Sequence, residues 1–91
     1  MTNRSNIHDS FTSKVYALVK KIPRGKTLTY QQVAARAGSP NAYRVVGSIM
    51  KKNFDTSIPC HRVVRSDGTV GEYNRGGPSA KRQRLIDEGA L

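Results

Sequence analysis

Cys60 and His61, adjacent in the stretch SIPCHRVV (57–64), are the residues of this chain best suited to chemistry. A cysteine attacks as the thiolate, so an imidazole that takes its proton activates it toward saturated carbon, carbonyl carbon or sulfur. Adjacency alone does not make such a pair. In extended chain, neighbouring side chains point to opposite faces, and free cysteines are among the most often buried and inert residues. A small buried thiol beside an unrelated imidazole therefore competes with nucleophile and base. Pro59 fixes one backbone angle and restricts Ile58 before it, which favours a turn. Across a turn, or through a bridging water, the two groups can communicate.

Other chemistries fit poorly. One cysteine and two histidines, with His8 close to the start of the chain, cannot close a zinc site, so no metal is expected. A single cysteine forms no internal disulfide, and a thiol that must stay reduced suits a cytoplasmic (nucleoid-associated) or nuclear setting. No apolar run is long enough for a secretion signal or a membrane span.

Sixteen Lys and Arg against six Asp and Glu give a formal net charge of +10 over 91 residues. In a chain this small, that balance predicts a polyanionic partner. A membrane surface would favour basic residues on one face of an amphipathic helix. Here they spread over several segments, which suits a nucleic-acid backbone and no membrane partner.

The elements that must position Cys60 can be read from the apolar periods. Residues 1–7 lack periodicity and are expected to form a flexible arm, leaving 8–91 as a single domain. Phe11, Val15, Leu18, Val19 and Ile22 recur at helical spacing, with Asp9 or Ser10 as N-cap, until Pro23 and Gly25 turn the chain. In LTYQQVAARAG, Thr29 and Gln32 form a capping box, Leu28 and Val33 a hydrophobic staple, and Gly38 a left-handed C-cap. Ser39 and Pro40 then predict a third helix with Ala42, Val45, Val46, Ile49 and Met50 as its apolar stripe. Beyond it, HRVVRSDGTVGEY is valine-rich around a turn signal and predicts a short hairpin. SAKRQRLIDEGAL predicts a last helix that buries Ala80, Leu85 and Ile86 and ends at Gly89. The fold class expected is mainly α: a small helix-turn-helix, winged-helix-like domain with a β-hairpin wing and a C-terminal helix. Two short helices around a tight glycine turn also suit any three-helix bundle, and the basic composition tilts the reading toward DNA.

Taken together, the motif IPCHRVV, with TYQQVAARAG and YRVVGSIMKKN before it and SDGTVGEYNRGG and KRQRLIDEGA after it, resembles the C-terminal catalytic domain of the alkylguanine-DNA alkyltransferases, the methylated-DNA–protein-cysteine methyltransferases. The resemblance runs from about Phe11 to the C-terminus. It implies direct reversal of damage in double-stranded DNA by a monomer without a cofactor. The helix-turn-helix would bind the minor groove, the alkylated nucleotide would be flipped out, and Cys60 would accept the 6-O-alkyl group as a stable thioether. Each molecule would then act once.

Position by position, the resemblance makes His61 the base that acts through a water and Glu88 the acid that orients it. Asn53 would brace the turn around the cysteine, and Tyr30 would donate to the guanine ring. Arg44 would enter the duplex, with Ala42 and Tyr43 at the groove-facing start of the recognition helix. Val63, Tyr73 and Asn74 would line the alkylguanine pocket. Each has a plainer reading: Glu88 a solvated carboxylate, Asn53 a helix cap, Tyr30 a core aromatic, Arg44 a solvated charge, Val63 a strand core residue. Tyr43 stands where the family commonly has small residues, and Glu72 where a neutral one is common. A non-enzymatic, alkyltransferase-like lesion sensor is the alternative. Such proteins typically lack the cysteine, so Cys60 argues against it. A plain helix-turn-helix DNA binder would leave Glu88 and the segment after Cys60 unexplained.

Overall fold

The computed structural model describes residues 6–91, with side chains from residue 10 onward. Helix α1 runs Asn6–Lys20, strand β1 Leu28–Thr29, helix α2 Tyr30–Arg36 and helix α3 Tyr43–Lys51. A 3-10 turn, Cys60–Arg62, leads into strand β2, Val63–Val64, and helix α4 is Gly77–Asp87. The mainly-α reading holds. The expected arm over residues 1–7 lies, for 1–5, outside the described residues. Helix α1 already begins at Asn6, so Asp9 and Ser10 fall inside it rather than capping it. An apolar period marks where a helix packs, not where its hydrogen bonding begins.

Val15, Val19 and Ile22 of the α1 stripe are buried against Val33, Ala34 and Ala37 of the α2 segment and Val46, Ile49 and Met50 of α3. The α2 caps match the sequence signals. Thr29 Oγ1 accepts from Gln32 N at 3.0 Å, and Gln32 Oε1 accepts from Thr29 N at 2.8 Å. At the other end, Gly38 N donates to Ala35 O (3.0 Å) and Ser39 N to Ala34 O (2.9 Å), a Schellman ending. It needs Gly38 at φ +95°, which a side chain would strain.

That ending also explains why α3 starts later than expected. The chain at Ser39 is still closing α2, and Pro40 and Asn41 form a turn sealed by Ala42 N to Ser39 O at 2.9 Å. Ala42, not Ser39, occupies the N-cap, without a side-chain cap bond. Val45 is 47% exposed, so the buried stripe of α3 is narrower than its apolar residues suggest. On α4, Ile86 is likewise exposed, and Lys81 is buried in its stead, on the same face as Leu85.

No two-stranded hairpin forms at the expected wing. The Ser66–Gly68 turn is closed by Arg65 N to Thr69 O at 3.2 Å. Val63 and Val64 instead pair in parallel with Leu28 and Thr29. Fully buried Val63 needs a core-side neighbour, and β1 supplies it. This short ladder joins the segment after Cys60 to the segment that enters α2 at Tyr30.

Candidate active site

The turn around Cys60 is built by its neighbours. Pro59 (φ −78°, ψ 69°) has inverse γ-turn geometry, with Cys60 N donating to Ile58 O at 2.8 Å. Arg62 N donating to Pro59 O at 2.9 Å then closes the 3-10 turn. Beneath it, Asn53 is 3% exposed and braces the approaching loop. Its Oδ1 accepts from Asp55 N at 3.0 Å, and its Nδ2 donates to Asp55 O and Ile58 O at 3.5 and 3.4 Å. Its φ is not positive, so it is no left-handed helix cap.

Cys60 is 4% exposed and lines a cavity of about 990 Å³. Tyr30 and Met50 line it too, and the loop residues Gly71, Glu72, Tyr73 and Asn74 face them. Along α3, Tyr43, Arg44, Gly47, Ser48 and Lys51 form its outer rim. Gly71 is required here: at φ +82°, a Cβ would come within 3.2 Å of the Tyr30 hydroxyl. Asn74 fastens the loop to the end of α3, its Nδ2 donating to Lys51 O (2.6 Å) and Asn53 O (2.8 Å).

His61 turns away from this cavity's rim into a buried charge cluster. Its Nε2 lies 2.8 Å from Glu88 Oε2. Arg62 grips the same carboxylate with Nε to Oε1 and Nη2 to Oε2, both at 2.9 Å, and donates Nη1 to Ile22 O at 2.8 Å. The Arg62 guanidinium holds the Glu88 carboxyl down at about 2, with His61 contributing. Burial pushes the His61 imidazole below its ordinary value, against the opposing pull of Glu88. A neutral imidazole facing an ionised carboxylate carries its proton on Nε2. Nδ1 then keeps a lone pair, and it is buried without a partner among the described residues.

Lys81 is 1% exposed, and its Nζ donates to the Tyr30 hydroxyl at 3.1 Å and to Glu72 O at 3.3 Å. Burial lowers its ammonium to about 8, while negative charge on the Cys60 sulfur acts in the opposite direction. Burial also raises the Tyr30 phenol, which therefore stays protonated. Because its oxygen accepts from Lys81, its own proton is free to be donated elsewhere.

The structure thus gathers Cys60, Tyr30, Tyr73 and Asn74 at one cavity, with Arg44 and Tyr43 on its rim, His61 and Glu88 behind it and Asn53 below. One expected pocket residue, Val63, does not line the cavity, and Ala42, expected at the groove-facing start of α3, sits just before that helix. Val63 is fully buried in the core on β2, because its strand pairing turns it inward. Ala42 is half-buried before α3 and serves as its N-cap. Arg62 and Lys81 were not singled out from sequence. For Lys81 the signal is its helical spacing with Leu85 and Glu88, which puts all three on one face of the chain.

The molecule is a small helix-turn-helix domain whose second helix rims a cavity holding a thiol, with a buried His–Glu–Arg cluster behind it. The chain belongs to the family described as 6-O-methylguanine DNA methyltransferase, DNA binding domain, whose model matches residues 10–90. A methylated-DNA–protein-cysteine methyltransferase of Mus musculus is 51% identical over 83 residues, covering 89% of this chain and 39% of that protein. A DNA base-flipping protein of Escherichia coli is 43% identical over 86 residues, covering 91% of this chain and 64% of that protein. Among solved structures, S. pombe Atl1 in complex with damaged DNA containing O6-carboxymethylguanine superposes with a TM-score of 0.79 at 38% identity. That match covers 89% of this chain and 77% of the other. The chain therefore spans well under half of the mouse methyltransferase and about two thirds of the base-flipping protein. No helix among the described residues is long and apolar enough to cross a membrane.

Proposed function

We propose that this domain binds double-stranded DNA containing guanine alkylated at its 6-oxygen and transfers the alkyl group to Cys60, once per molecule. The rim of α3 would lie in the minor groove, with Arg44 filling the stack and the flipped nucleotide entering the cavity. His61 Nδ1 would take the thiol proton through a water, its Nε2–H held by Glu88. The Cys60 sulfur then attacks the alkyl carbon, a carbon–sulfur bond forms, and the carbon–oxygen bond breaks. The electron pair leaves with guanine, and the Tyr30 hydroxyl donates toward the ring to ease its departure. Tyr73 and Asn74 frame the base. No step draws on a cofactor or a second subunit, and the work belongs to the cytoplasm or nucleus, where DNA and reduced thiols coexist.

The observation that carries this reading is the shared cavity of Cys60 and Tyr30, backed by an imidazole whose Nε2 is committed to Glu88. The likeness to a base-flipping protein favours a second reading, lesion binding without transfer. One experiment separates them. Mixing the protein with a duplex containing O6-methylguanine and taking an intact mass should give a gain of one methyl group, mapped to Cys60. Cys60→Ala should bind the lesion and gain nothing. Lesion-selective binding by the unaltered protein with no mass gain would establish the second reading instead.

A further inference from the structure

Most acidic side chains described in this basic chain have a structural task. Asp55 accepts from Ser57 N and Oγ at 2.9 and 2.7 Å, and Asp67 accepts from Thr69 N and Oγ1 at 3.0 and 2.7 Å. Asp87 accepts from Gln83 Nε2 at 2.9 Å, and Glu88 holds His61 and Arg62. Glu72 differs. Its carboxylate has one partner among the described residues, Lys51 Nζ at 3.5 Å, and the two side chains are 79% and 69% exposed. So exposed an ion pair adds little to stability.

Its place is more informative than its strength. Glu72 lies in the loop on one side of the cavity mouth, and Lys51 ends α3 on the other; both line the cavity. The bond from Asn74 to Lys51 O holds the two sides at this separation. Lys51 lies one turn beyond Gly47 and two beyond Arg44, on the face that the proposed function sets against DNA. A carboxylate there has the wrong sign for attracting a polyanion.

We propose that Glu72 limits affinity for DNA by acting as an internal counterion: it occupies Lys51, and a DNA phosphate must displace it. The proposal rests on the DNA-binding reading above. Its effect is independent of the lesion, because the pair lies at the rim and not at the thiol. Weakening a phosphate contact everywhere shortens residence on undamaged duplex, where most encounters occur.

The test is a salt titration of binding to undamaged and O6-methylguanine duplexes by the unaltered chain, Glu72→Gln, Lys51→Gln and the double variant. Glu72→Gln should bind both duplexes more tightly by the same factor. Its plot of log K against log salt should be steeper by about 0.9, because the cation released where Lys51 meets phosphate is no longer offset by one recruited to the freed Glu72 carboxylate. Its advantage should therefore shrink roughly threefold to fourfold between about 50 and 200 mM salt. With Lys51 already replaced, Glu72→Gln should leave the slope unchanged. An equal gain in both backgrounds would mean general repulsion and would overturn the proposal, as would a gain confined to the lesion duplex or no gain at all. If the unaltered chain shows no salt-dependent DNA binding, the underlying reading fails first.

Discussion

Glu88 Oε2 lies 2.8 Å from His61 Nε2 across a separation of 27 residues, and the same carboxylate is gripped twice by Arg62. That contact joins the end of α4 to the cysteine turn and fixes which imidazole nitrogen carries the proton. Glu88→Gln keeps the shape but removes the charge that selects the tautomer and leaves Arg62 without its counter-ion. Single-turnover transfer to a lesion duplex should fall by roughly a hundredfold, the scale of a lost general base. The fall should exceed any loss of folded protein measured by circular dichroism.

The pH dependence follows from the same cluster. His61 is held below its ordinary 6.5, so the neutral base survives further into acid than a free imidazole would. The acid limb of the rate profile should therefore lie below pH 6.5. Glu88 sits at about 2 against an ordinary 4.5. Its stabilising contribution, on the order of 3 kcal/mol, is complete above the unfolded value and is lost as pH falls toward the folded one. Denaturant unfolding of the unaltered protein and Glu88→Gln across the acid range should converge in stability. A constant gap between them would rule this out.

Lys81 gives a second, alkaline signature. With its folded value at about 8 and its ordinary value at 10.5, the folded state resists protonating this amine. Its favourable contribution is complete above 10.5 and disappears as pH falls through 8, which makes stability rise with pH across that window. The rise should be on the order of 3 kcal/mol. Lys81→Met, which fills the same space without a charge, should flatten it in denaturant titrations at successive pH values.

What could be read from sequence was local. Thr29 with Gln32, and Ala34 through Gly38, announce both ends of α2 because every partner lies within a few residues. The SDG turn was equally legible, whereas the true partner of Val63 was not. Leu28 lies far earlier in the chain, and no short-range pattern favours a two-residue parallel ladder over a hairpin. At the site, Cys60 and His61 were visible as neighbours. Glu88 became visible only through the resemblance to a family, since a carboxylate after a helix has no local mark of burial. Arg62 and Lys81 were hidden by composition. In a chain with sixteen Lys and Arg, a buried cation looks like any solvated one.

Asn53 is a bracing residue whose failure should be felt at a distance. Its side chain bonds to Asp55 N, Asp55 O and Ile58 O, the last being the carbonyl that also receives Cys60 N. Asn53→Ala strands buried backbone groups and should cost about 1–3 kcal/mol. Transfer by the molecules that remain folded should slow as well, because the cysteine turn loses its support. Urea unfolding and single-turnover rates on the same preparations check both parts.

Arg44 should behave in the opposite way. It is exposed on α3 and no hydrogen bond or ion pair to it is seen among the described residues, so Arg44→Ala should change stability by no more than about 0.5 kcal/mol. Its proposed task is to fill the stack left by a flipped nucleotide, a vacancy whose cost is a few kcal/mol. Losing that filler should weaken lesion binding and slow transfer by roughly tenfold to a hundredfold, through the fraction of flipped base. A phosphate-binding arginine would instead flatten the salt slope by about 0.9 and weaken damaged and undamaged duplexes alike. A fluorescent base analogue beside the lesion reports flipping directly. The expected result for Arg44→Ala is a lost flipping signal with the salt slope nearly unchanged, and a flattened slope with flipping intact would assign Arg44 to the backbone.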